Sequence, residues 1–218
     1  MQTFLFYFIV FIIYSFLGWL SEVIYGFAID KKIINRGFLI GPICPIYGFG
    51  AIFMILYLVK YKNDPIVVFI LGAFICTLLE YITSYLMEKL FKVRWWDYSN
   101  FKFNINGRVC LYFSSMFGIG AILTICFINP IIINIVNLIP NTLMIIISII
   151  LLVLFLLDII TSFNIINKVK LTAQNVSKDY TEEINKKVND ILQNKIFQTR
   201  LLNAFPKFKF INHQKHKK

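Results

Sequence analysis

The sequence predicts an all-α integral membrane protein with five transmembrane helices. Spans 1–2 and 3–4 form a parallel two-helix repeat, and a cytoplasmic amphipathic helix follows span five. Three observations carry this prediction. Of the 218 residues 58% are hydrophobic and only 15% charged, with a mean hydropathy of +0.72, whereas a soluble domain carries about a quarter charged residues. Five apolar windows, at 4–28, 44–61, 66–87, 109–127 and 142–160, each reach the roughly 18 residues a helix needs to cross about 30 Å of hydrocarbon. The basic residues, finally, fall where five crossings place them on one side.

Three Lys/Arg lie between spans one and two, two between two and three, five between three and four, none between four and five, and twelve after span five. An odd number of crossings puts 20 of these 22 on one face. The positive-inside rule makes that face cytoplasmic, with the N-terminus outside and the C-terminus inside. The many Ile, Asn and Lys residues suggest an AT-rich bacterial genome, so the expected compartment is the bacterial cytoplasmic membrane; the expected organisation is a transmembrane domain over 1–162 with a basic tail over 163–218.

Span one lacks the basic n-region and small-residue cleavage site of a signal peptide, so it reads as a permanent span. It carries Glu22, and span three carries Glu80. A carboxylate at membrane depth is costly enough that a working site is the default reading. Ser15, Gly18, Tyr25 and Gly26 share the face of Glu22 by helical spacing. Ala73, Cys76, Thr77, Thr83, Ser84 and Glu88 share that of Glu80. Such small and hydroxyl residues allow close helix approach.

Each glutamate is followed by the same pattern. Asn35-Arg36-Gly37 leads to Tyr47-Gly48-Phe49-Gly50-Ala51, and Asn106-Gly107-Arg108 leads to Phe117-Gly118-Ile119-Gly120-Ala121. The doubling suggests two hairpins related by an axis along the membrane normal. Between spans one and two, RGFLIGPICPIYG cannot be a regular helix, because Pro42 and Pro45 break it. It reads either as a tight interfacial loop or as a re-entrant segment, which survives at depth only when buried in protein or lining a wet cavity.

Trp95, Trp96 and Tyr98 in the third loop suit the headgroup zone, or wall a pocket beneath the glutamates together with Asp97. Span five is bulky and apolar over 145–157, with Ser148 its one polar residue there, and is expected at the bundle edge facing lipid. In the tail, Val176, Tyr180, Ile184, Val188 and Ile191 recur at helical spacing. The terminal PKFKFINHQKHKK suits an anionic lipid surface. Nucleic acid is not an expected partner, since topology accounts for the basicity.

The site expected from these residues is Glu22, Arg36, Glu80 and Arg108, flanked by Asn35, Asn106, Trp96 and Asp97. Its simplest arrangement pairs each arginine with a glutamate. It would then take an anionic group at the arginines, or a cation or proton at unpaired carboxylates. Interhelical clamping with no ligand is the competing reading. No metal or cofactor is expected, because Cys44, Cys76, Cys110 and Cys126 lack ligand spacing and no histidine precedes the tail. With no catalytic triad and no P-loop, the chain does not read as an enzyme.

The blocks YSFLGWLSEVIY, NRGFLIGPICPIYGFG, LEYITSYLMEKLF, RWWDYS and FNINGRVCL, in this order, resemble the putative ABC-transporter type IV family of CmpB-like permeases. The resemblance covers about 11–130 and leaves out span five and the tail. It departs at Phe117, where tryptophan is expected before the glycine. It implies a bacterial multi-pass permease subunit, and carries no substrate with it. ATP hydrolysis would come from a separate ATPase subunit. Five spans make a thin bundle, so a conducting path implies a homo-oligomer or a second membrane subunit. The alternative function is a lipid-headgroup-binding protein or lipid-modifying enzyme using the same residues.

Overall fold

A computed structural model describes residues 2–31, 35, 37–91, 93–176 and 209–210. Arg36 and almost all of the expected amphipathic tail helix lie outside the described residues.

Six α-helices follow in chain order: α1 Gln2–Asp30, α2 Pro45–Leu58, α3 Pro65–Phe91, α4 Leu111–Ile122, α5 Asn129–Asn137 and α6 Asn141–Val176. Among the described residues, four helices are long and apolar enough to cross a membrane, at Gln2–Ile29, Pro65–Phe91, Leu111–Asn137 and Asn141–Asn167. The fifth apolar helix, Pro45–Tyr61, is shorter. With its last turn tightened to 3-10 geometry over Val59–Tyr61, it is about 27 Å long.

The reason α2 is short lies at its start. Pro45 occupies the first helical turn, where its missing N–H costs nothing. The preceding Cys44 N–H donates to the Ser15 carbonyl at 2.9 Å. The chain after α1 therefore folds back to the middle of α1 before α2 begins. Segment 37–44 is accordingly non-helical backbone packed against protein.

α4 and α5 are one continuous rod joined by a π-helical stretch, Leu123–Ile128. Pro130 sits in the first turn of α5. Its ring would clash with the preceding turn of a regular helix and offers no donor, so the ladder widens just upstream. The fourth apolar helix thus runs to Asn137 rather than stopping at 127.

The most extensive helix contacts are α3 with α4 and α1 with α2. Both hairpins close on a glycine. A Cβ at Gly48 would overlap Ser15 and the Phe11 ring, and one at Gly118 would overlap the Phe69 ring. Phe11 lies eleven residues before Glu22, and Phe69 eleven before Glu80. The main core joins all the apolar helices through Val10, Tyr14, Met54, Leu58, Val68, Ala121, Ile125, Val136 and Met144.

The all-α expectation needs one amendment. Strands β1 (Val93–Arg94) and β4 (Lys209–Phe210) pair antiparallel, and β2 (Asn104–Ile105) pairs antiparallel with β3 (Val109–Cys110). The β2–β3 turn has φ +54° at Asn106 and +66° at Gly107, and is closed by Arg108 N–H to the Ile105 carbonyl at 3.0 Å. Asn-Gly accepts two left-handed residues in succession, which makes it a strong hairpin signal.

α6 is also more than a lipid-facing edge. Most of its large side chains are exposed, but Met144, Ser148, Ser162 and Ile166 are buried at helical spacing. Asp158 lies on the same stripe and grips segment 37–44. It accepts Ile40 N–H at 2.9 Å and Gly41 N–H at 3.0 Å, and Ser162 adds a hydroxyl bond at 3.2 Å. Two successive amides of non-helical backbone are thereby satisfied without water. Phe38 continues the contact, packing with Phe91, Trp95 and Phe163.

Candidate functional site

Glu22 and Glu80 stand about 12 Å and 16 Å from the C-terminal ends of α1 and α3, on the side where segment 37–44 and the loop between α3 and α4 fold in. Each meets a tyrosine. Tyr47 donates to Glu22 Oε1 at 2.5 Å, and Tyr98 donates to Glu80 Oε1 at 3.1 Å. Tyr47 reaches Glu22 because it lies in the first turns of α2 against Gly18, one turn before the carboxylate. Tyr98 reaches Glu80 because its loop is tied to the hairpin, with Tyr98 N–H donating to the Gly107 carbonyl at 2.8 Å. Stacking on Phe113, with ring centroids 4.7 Å apart, holds the phenol inward.

The two carboxylates are near enough for their charges to interact, and both act on Tyr98. Burial, then the Glu80 carboxylate, with Glu22 adding to it, pushes the Tyr98 phenol well above its ordinary range. It stays a hydrogen-bond donor at any physiological pH. Glu80 is only 7% exposed, and its Oε2 is buried with no hydrogen-bond partner among the described residues.

The expected pairing of Arg108 with Glu80 is not what forms. Arg108 Nη1 instead meets Glu88 at 2.8 Å and Ser84 Oγ at 3.4 Å, and its guanidinium lies over the rings of Tyr81 and Tyr85. Arg94 reaches the same Glu88 oxygen at 3.3 Å and Asp97 at 3.9 Å. The reason is reach. Ser84 and Glu88 continue the stripe of Glu80 by successive turns toward the end of α3, and the hairpin delivers Arg108 to the outer turn. Two carboxylates and two guanidiniums make that outer cluster neutral. Among the described residues no Lys or Arg is ion-paired with Glu22 or Glu80.

The flanking residues are mostly committed to holding loops. Asn35 Oδ1 accepts from Trp19 Nε1 and from Gly37 N–H, both at 2.9 Å, and its Nδ2 donates to the Ile40 carbonyl at 2.9 Å. Trp96 Nε1 donates to the Arg108 carbonyl at 2.9 Å, and Asp97 accepts from Ser99 N–H at 3.0 Å. Asn106 Nδ2 donates to the Tyr81 hydroxyl at 3.0 Å. The site therefore has two layers: a deep one of Glu22, Tyr47, Glu80 and Tyr98, and an outer ionic one of Glu88, Arg94, Asp97 and Arg108. Sequence reasoning does not single out Tyr47 and Tyr98 as partners of the glutamates. The signal for Tyr47 is its place in the repeat pattern, and that for Tyr98 is the pocket wall expected beneath the glutamates. No group of three metal-ligating side chains occurs among the described residues.

Gly18 supports the deep layer by close approach. A Cβ there would overlap Cβ and Cγ of Tyr47, the rooted end of that side chain, which no rotation about χ1 can clear. Gly18→Ala is expected to cost about 1–3 kcal/mol as overpacking, outweighing the gain in helix propensity of about 1 kcal/mol. Thermal unfolding in detergent would measure this, and a Gly18→Ala variant more stable than the parent would contradict the packing described.

Four helices long and apolar enough to cross a membrane, with Glu22 and Glu80 within them, define a membrane protein. The chain belongs to the family described as "Putative ABC-transporter type IV", whose model matches residues 9–163. That match extends beyond the 11–130 of the visible blocks and includes most of the membrane part of α6, Asp158 among it. No curated protein and no solved structure matches the chain.

Proposed function

We infer that this protein is the membrane-embedded permease subunit of a transporter, with its polar site open toward the cytoplasm. One observation carries the reading. Two hairpins each bring a glutamate to a similar depth, and the two carboxylates meet at tyrosine donors inside the bundle. Family membership supports a transport role. The shared Phe–Gly closure of the two hairpins supports a parallel repeat.

In this reading α2 completes five crossings, the N-terminus is outside and the basic tail is in the bacterial cytoplasm. The ATPase is a separate chain, and a second copy or another membrane subunit completes the path. The deep layer carries two acids and no paired cation among the described residues, while the guanidiniums of the outer layer are already neutralised. This weighs against an anionic lipid headgroup as the ligand of the deep layer.

Purification in mild detergent followed by native mass spectrometry is expected to retain a subunit bearing a nucleotide-binding P-loop. A tightly held or chemically altered lipid with no such subunit would favour the lipid-binding or lipid-modifying reading instead. In vesicles reconstituted with that ATPase, Glu22→Gln and Glu80→Gln are each expected to lower ATP-dependent substrate movement at least tenfold while leaving membrane insertion intact. Normal transport by both variants would remove the deep layer from the mechanism.

A further inference from the structure

We propose that Glu80 is a proton-binding site, alternating between carboxylic acid and carboxylate within the Glu22–Tyr47–Tyr98 cluster. The proposal rests on the permease reading only for its purpose, not for its chemistry. A carboxylate out of water needs partners for both oxygens, and an isolated buried charge is costly enough that the group otherwise neutralises. Among the described residues Glu80 has one partner, the Tyr98 phenol on Oε1, while Oε2 is buried and unpartnered.

Among the described residues, the groups facing Glu80 do not supply a compensating cation. They are Glu22 from α1, Tyr98 from the loop and Cys76 one turn away on α3, with Tyr47 of α2 bonded to Glu22. Arg108 engages Ser84, one turn along α3, and is held by Glu88. A divalent metal would need more ligating side chains than this cluster offers among the described residues. A proton needs only one oxygen. On uptake an O–H bond forms at Oε2 as one breaks in a hydronium ion, which leaves as water, and Glu80 loses its negative charge.

Infrared difference spectroscopy of the full chain in lipid nanodiscs, stepped from acidic to alkaline buffer, tests this directly. A protonated-carboxyl C=O band should be present at acidic pH, vanish at alkaline pH, persist in Glu22→Gln and be absent from Glu80→Gln. If Glu80→Gln does not fold, Tyr98→Phe serves in its place, since losing the phenol hydrogen bond should move the frequency of that same band. The proposal is overturned if no titrating band appears, if the band survives Glu80→Gln, or if Tyr98→Phe leaves its frequency unchanged. It is equally overturned if sodium or potassium at constant pH replaces the band stoichiometrically, because the site would then be a metal-cation site. None of these outcomes touches the copurification that tests the permease reading.

Discussion

Replacing Asp158 with alanine is expected to destabilise the protein by about 3–5 kcal/mol, the largest effect expected of any single substitution in the bundle. Hydrogen bonds to a charged group contribute about 1.5–3 kcal/mol each, and a buried donor left without a partner loses its desolvation cost as well. Asp158 accepts from two successive backbone amides, Ile40 and Gly41. Ser162 Oγ lies 3.1 Å from Ile40 N and cannot replace both carboxylate oxygens. Asp158→Asn keeps one acceptor oxygen and should lose about half as much. Thermal unfolding in detergent measures the loss, and limited proteolysis should show new cleavage within 37–44. An Asp158→Ala protein as stable and as protected as the parent would mean that segment 37–44 is held by something else.

The second large effect is expected at Arg108. Its side chain is 9% exposed and pairs with Glu88 at 2.8 Å. Removing one partner of a buried pair costs about 3–5 kcal/mol, and Arg108→Ala should fall near the low end because Arg94 still reaches Glu88. The informative measurement is a pair of double-mutant cycles. Arg108 should couple to Glu88 by more than about 1 kcal/mol and to Glu80 by less than about 0.5 kcal/mol. The charge-reversed pair Glu88→Arg/Arg108→Glu should recover part of the loss, while Glu80→Arg/Arg108→Glu should recover none. Stronger coupling to Glu80 than to Glu88 would restore the pairing of arginine with the deep glutamate that the sequence suggests.

These two positions also show where sequence reading stops. Glu80 and Arg108 are both conspicuous, one as a charge inside an apolar run and the other as a basic residue at its border, and pairing them is the simplest neutral arrangement. Helical phase does not choose between Glu80, Ser84 and Glu88, since all three lie on one stripe. The choice belongs to the hairpin that sets how far along α3 the guanidinium lands. That hairpin is legible in Asn106-Gly107, which the repeat pattern instead matches to the Asn-Arg-Gly cluster after α1. Asp158 is hidden differently. Beside the long apolar stretch of span five a single acid near its end looks like a boundary residue, and its partners are two backbone amides that carry no side-chain signature.

The deep layer divides the same way. Glu22, Glu80 and the small residues on their faces follow from periodicity and from the cost of charge in hydrocarbon, and so do the long apolar helices. The partners of the glutamates do not, because Tyr98 arrives from a loop.

From its residues alone this chain is a membrane protein with two acids within its apolar helices. Those properties depend on transfer from water and on one-dimensional spacing, which are local to each helix. Only the tertiary structure decides that the fourth rod widens ahead of Pro130, that α2 starts beside the middle of α1, that α6 clamps a broken segment, and which acid Arg108 neutralises. Those outcomes depend on where non-helical backbone and loop side chains come to rest in three dimensions, because every buried amide and charge there must find its partner across the fold.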